Sequence, residues 1–231
     1  MIIRSVNRVL LLFALLVSAA MPVRASLFSL DAAGTITSNS SGDSTIPIGT
    51  PWSFRLIYDT AAPDLDFELT GSPDPTFGRF TNSTTSPALI FFQYQAGNYE
   101  VLVDDPADFG EFSEILITFT SINAIDINIR APASFPPLAG GPVSFHADFN
   151  AFASAPVLLS DGLPTDIALS AGSFDQSAVT LLPPAGAINS GSLSKLTLTP
   201  IPEPATAALE IVGLLFLFVI IRRTPRRSLA R

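Results

Sequence analysis

From Val143 to Ala151 the chain sets apolar side chains at every second position. Val143, Phe145, Ala147, Phe149 and Ala151 face one way; Ser144, His146, Asp148 and Asn150 face the other. A period of two fits a strand buried on one face, and does not fit a helix, whose side chains repeat every 3.6 residues. The pattern recurs. Trp52, Phe54, Leu56 and Tyr58 alternate with Ser53, Arg55, Ile57 and Asp59, as do Ile115, Ile117 and Phe119, and then Ile125, Ile127 and Ile129. Leu89–Gln95 and Tyr99–Val103 flank Gly97-Asn98, a pair suited to a primed two-residue hairpin turn. Ser192–Thr199 reads as a last strand, Ser38–Thr45 as a polar loop, and Ala131–Pro142 as a Pro/Gly-rich bend. Short alternating strands between such turns predict an all-β fold, an antiparallel β-sandwich or jelly roll, over residues 26–201.

That body contains no cysteine. Disulfides, thiolate metal sites and cysteine nucleophiles are therefore excluded, and stability must come from a packed core. Charge is segregated along the chain. Of the 20 acids, 18 lie in the body, against only Arg55, Arg79, Arg130 and Lys195, a formal charge of −14. Such a surface repels phosphate backbones, so no nucleic-acid partner is expected.

The ends have a different character. Arg4 and Arg8 precede the apolar run Val9–Val17, and Val23-Arg24-Ala25 precedes Ser26. Basic, apolar and small-residue zones in that order form a secretory signal peptide, residues 1–25, with cleavage expected between Ala25 and Ser26. At the other end, Ala205–Ile221 is a 17-residue and largely apolar segment. As a helix it is about 25 Å long, slightly short of the ~30 Å hydrocarbon core. Snorkelling arginines offset that mismatch. Pro202 and Pro204 start the helix rather than enter it. Arg222, Arg223, Arg226 and Arg227 put the basic end, 222–231, in the cytoplasm. Glu210 is the one carboxylate inside the expected transmembrane helix, and interfacial placement accommodates it.

The run Pro202-Glu203-Pro204-Ala205, the apolar span and the terminal arginines together resemble the PEP-CTERM sorting signal. The resemblance covers about 30 residues, with Glu210 and Thr224-Pro225 as departures from it. It implies a partner, the exosortase, an inner-membrane cysteine transpeptidase that recognises the tail. It also implies an association with exopolysaccharide and biofilm matrix. The same tail is also described as an ice-binding protein C-terminal domain, a label that does not imply ice binding. The stretch from Gly34-Thr35-Ile36-Thr37 through Tyr58-Asp59 resembles the opening of many ectodomains in this group.

Within the body no catalytic, cofactor or metal site is expected. His146, the only histidine, shares a polar face with Asp148, but no Gly-x-Ser-x-Gly elbow accompanies it. It reads as a surface histidine. Asp64, Asp66 and Glu68 alternate, and Asp104, Asp105 and Asp108 cluster; both groups suit solvated loops better than calcium loops. Trp52, Tyr94 and Tyr99 are candidates for stacking on sugars, although Trp52 lies in a core-facing pattern. Asn39 and Asn82 open sequon-like triplets. The expectation is an exported, non-enzymatic surface or matrix protein. A carbohydrate-binding module is the alternative, ahead of a secreted hydrolase.

Overall fold

The computed structural model describes residues 27–201 apart from 66–73, 83–86, 111–112, 120–122, 131–134, 152–157, 159, 161 and 166–167. The expected signal peptide, its Ala25/Ser26 junction, the Pro202–Pro204 motif, the helix at 205–221 and the basic end lie outside the described residues. Among the described residues no helix is long and apolar enough to cross a membrane.

Among the described residues ten strands follow one another: β1 (Leu27–Asn39), β2 (Pro51–Asp59), β3 (Phe77–Thr81), β4 (Leu89–Ala96), β5 (Tyr99–Val103), β6 (Glu114–Phe119), β7 (Asn123–Ile129), β8 (Ser144–Ala151), β9 (Gln176–Leu182) and β10 (Ile188–Ile201). Two single-turn 3-10 segments, Pro106–Asp108 and Ala171–Ser173, lie between them. The all-β antiparallel reading therefore holds.

All ten strands belong to one sheet, ordered β3-β6-β7-β8-β9-β10-β1-β2-β4-β5, and the sheet curls into a half-barrel. The two layers of the expected sandwich are here two wings of one sheet. β1 and β10 form the spine, β2, β4 and β5 one wing, and β9, β8, β7, β6 and β3 the other. The wings meet through aromatic rings. Phe145 of β8 lies 5.2 Å from Phe54 of β2 and 4.7 Å from Phe92 of β4, centroid to centroid. These strands are not neighbours in the sheet, so only the curl brings them together.

Alternation explains which side is inward. β8 buries Phe145, Ala147, Phe149 and Ala151 while its other residues stay half-exposed. β7 does the same with Ile125, Ile127 and Ile129. The apolar inner faces form one buried cluster. The described part of the expected bend, residues 135–142, contributes to it: Phe135 and Leu138 are buried, and Phe135 stacks on Phe92 at 6.0 Å. Gly97 has φ +61° and Asn98 is not in the positive region, as in a hairpin turn with glycine first. β4 and β5 pair directly across it, Ala96 with Tyr99.

β1 and β10 pair along their length, from Asn39 with Ile188 to Leu27 with Ile201. The first and last described residues thus sit side by side at one end of the sheet. The Gly97-Asn98 turn is at the other end, because Trp52 pairs with Gly34 and Ala96 while Asp59 pairs with Leu27.

Candidate functional site

The outer face of β6 to β9 is polar, because the inward alternation of these strands leaves their polar residues outside. Register then sets the neighbours. Asp126 of β7 pairs with Asp148 of β8, and Asn128 with His146. The same row continues to Glu114 on one side and to Thr180 and Asn189 on the other. Arg79 Nε donates to Glu114 at 2.8 Å, and Thr180 Oγ1 donates to Asn189 at 2.9 Å.

At the centre of this face, His146 Nε2 lies 2.9 Å from Asp126 Oδ1 and 3.4 Å from Asp148 Oδ1. Asn128 Nδ2 donates to the same Asp126 oxygen at 3.0 Å, which fixes that carboxylate. The three side chains are each about one-third exposed, so water reaches them from one side only. The hydrogen bond with Asp126 raises the His146 pKa above its ordinary value; partial burial opposes the rise, and the charges of Asp126 and Asp148 add to it. Burial holds the Asp148 carboxyl above its usual range; His146 opposes that shift, and Asp126 reinforces it. The potential ligand atoms of Asp126, His146 and Asp148 all fall within 4.8 Å of one another.

This arrangement is not a Ser-His-Asp triad. A triad uses opposite ring nitrogens, one toward the carboxylate and one toward the hydroxyl. Here both carboxylates crowd the same nitrogen. The group can exchange a proton between imidazole and carboxylate, or hold a cation among one nitrogen and two oxygens.

The sequence pattern had put His146 and Asp148 on one polar face, and they are there. Asp126 and Asn128 went unrecognised. The alternation Ile125-Asp126-Ile127-Asn128-Ile129 points both outward, but a long β7–β8 connection hides the register that brings them to His146.

The other sequence candidates fall elsewhere. Trp52, Tyr94 and Tyr99 are buried, so none offers a ring to a sugar. Burial also pushes the phenol pKa values of Tyr94 and Tyr99 up. Asp105 caps the Pro106–Asp108 turn by accepting from the Ala107 amide. Asp64 Oδ1 accepts from the Arg79 amide at 2.9 Å, whereas Asp66 and Glu68 lie outside the described residues. Both sequon asparagines are already engaged. Asn39 Nδ2 donates to the Asp43 and Ile46 carbonyls, and Asn82 Nδ2 to those of Leu89 and Pro106.

A second feature lies on the outer face of the other wing. Ala33 and Ser53 are small and pair with each other, leaving a shallow depression of about 220 Å³. Asp31, Arg55, Gln93, Gln95 and Lys195 rim it. Arg55 Nε donates to Asp31 at 2.7 Å. Two of the body's four cations thus stand at one polar hollow.

No family model, curated protein or solved structure matches this chain.

Proposed function

We propose that the chain is an exported, non-enzymatic protein of the cell surface or extracellular matrix, sorted by an exosortase through its Pro202-Glu203-Pro204 tail. The observation that carries this reading is the pairing of Leu27 with Ile201. Ser26, the expected first mature residue, directly precedes that pair, and Pro202 directly follows it. A body whose leader and tail depart from one end of its sheet can stand on a membrane by that end. The turns at Gly49 and Gly97-Asn98 then face outward. The half-barrel packs its wings as a sandwich packs its layers, which is the sense in which we read the body as a β-sandwich. The strongly acidic surface suits a soluble matrix component.

The test is mass-spectrometric mapping of the mature C-terminus in cells with and without the sorting enzyme. Loss of residues beyond the motif only where the enzyme is present supports the reading. Retention of residues 205–231 in both strains overturns it. Replacing Pro202, Glu203 and Pro204 together by alanine should trap the uncleaved form in the inner membrane.

The depression beside Arg55 and Lys195 favours a second reading, a carbohydrate-binding body that takes a neutral stretch of exopolysaccharide. Side-chain amides and paired charges grouped in a concavity suit sugar hydroxyls. Saturable binding to purified exopolysaccharide, weakened in Arg55→Ala and Gln95→Ala, supports it. Binding unchanged in both variants excludes this hollow.

A further inference from the structure

The geometry points to a divalent transition-metal site at Asp126, His146 and Asp148. We infer that one ion of the zinc or nickel type binds through His146 Nε2 and one oxygen from each carboxylate, leaving its outer positions to water or an external oxygen ligand.

The distances are the first argument. Ligand atoms about 2.0–2.2 Å from one metal stand roughly 3–3.5 Å from each other in tetrahedral or octahedral geometry. The His146–Asp126 and His146–Asp148 separations, 2.9 and 3.4 Å, already have that spacing. The third separation, between the two carboxylate oxygens, lies within 4.8 Å.

The cross-strand pairing is the second. Asp126 and Asp148 stand directly opposite on adjacent strands, where like charges destabilise a sheet. A cation between them turns that repulsion into attraction. The body around them is acidic overall, so its field also draws cations.

The supporting residue is the third. Asn128 Nδ2 holds the Asp126 oxygen that faces the histidine. Hydrogen-bonded partners of this kind orient ligating carboxylates and tune affinity. All ligands lie on two hydrogen-bonded strands, a rigid platform rather than a loop.

The donor set chooses the metal class. An imidazole nitrogen favours zinc, copper, iron and nickel, whereas calcium and magnesium prefer all-oxygen shells. Binding displaces the proton from Nε2 to solvent if that nitrogen carries it, and leaves the ring proton on Nδ1.

The experiment uses the full chain, purified in detergent without a histidine tag and stripped with a chelator. Calorimetric titration with Zn²⁺ should give one equivalent per chain, with Ca²⁺ at least about tenfold weaker. His146→Gln and Asp148→Asn should each weaken Zn²⁺ binding by about tenfold or more. Asp105→Asn, in the separate acidic cluster, should leave it unchanged. The chain has one histidine, so isotopically labelled histidine gives a single imidazole signal set by magnetic resonance. Zn²⁺ should shift that set at one equivalent, a readout that needs no variant to fold. Absence of stoichiometric binding, an unmoved imidazole signal, equal affinity for Ca²⁺, or full binding by His146→Gln would each overturn the proposal.

Discussion

The curl of the sheet makes a quantitative demand on Phe92 and Phe145. Phe145 is 1% exposed, and its ring contacts Phe54, Phe92 and Tyr94 at 5.2, 4.7 and 5.6 Å. Truncating it to alanine removes a buried ring from the seam between wings and should cost about 3–5 kcal/mol. Against a total stability of about 5–15 kcal/mol, that is a large share. With a urea slope of about 2 kcal/mol/M, the midpoint should fall by roughly 2 M. The same loss would follow from any buried phenylalanine, so the single variant does not test the curl. A double-mutant cycle does. Phe92→Ala and Phe145→Ala, made alone and together in residues 26–201, should show about 0.5–1.5 kcal/mol of coupling. Five steps of the strand order separate β4 from β8, so in an open sheet these rings would not touch. Additivity within about 0.3 kcal/mol would refute face-to-face packing of the wings.

Three further outcomes are expected. Gly186→Ala should destabilise the body by more than about 1 kcal/mol, read as a lower urea midpoint. Gly186 has φ +152°, and a Cβ there would meet the Ser40 carbonyl oxygen at 2.8 Å. Tyr58→Phe should cost about 1–3 kcal/mol by the same measurement, because the buried Tyr58 hydroxyl donates to the Pro164 carbonyl and its loss leaves that acceptor unpaired. Stability should fall as pH rises above neutrality in metal-free buffer. The folded His146 pKa is raised, so its stabilisation is complete below about pH 6.5 and is lost as pH climbs through the raised value. The raised Asp148 pKa gives the same sign at lower pH, beginning near about 3.9. In His146→Gln the decline above pH 6.5 should vanish from the denaturation midpoints.

Alternation made much of this fold legible, and its failures have identifiable causes. β2, β7 and β8 each bury one face strictly, and their limits agree with the sequence reading to within a residue or two. β1 was harder to see. Ala32, Ala33 and Gly34 carry too little side chain to mark a period, and the pairing with β10 contains register shifts between Ala33 and Ser38. β3 is only five residues long and finds its partner β6 far along the chain. β9 presents Ser177 and Ala178 before its apolar alternation begins. The site was half legible for a related reason. Spacing along one strand reveals Asp148 beside His146, whereas Asp126 arrives from another strand through register. Register depends on the β7–β8 connection, which has no short turn to count from. The aromatic candidates erred in the opposite way. Trp52, Tyr94 and Tyr99 have amphipathic rings that suit a sugar platform, but their alternation with Ser53, Gln95 and Glu100 already assigned them to the inner face.

The topology also bears on when this body can fold. β1 is the first strand translated and β10 the last, yet they are the spine on which both wings depend. Ser194 donates to the Ala33 carbonyl across 161 residues. A contact so distant in sequence forms only after a large loop closes, which slows folding. The order β6-β7-β8-β9-β10 is different, because each strand pairs with its sequence neighbour. That wing can assemble as soon as it emerges. The other wing cannot join it until β10 is complete, and β10 ends at Ile201, immediately before Pro202. Closing the spine and presenting the tail therefore belong to the same stretch of chain. Until then β1 offers an unpaired edge capable of pairing with other chains. The pairing of Leu27 with Ile201 is thus a folding constraint as well as the geometry from which the proposed anchoring is argued.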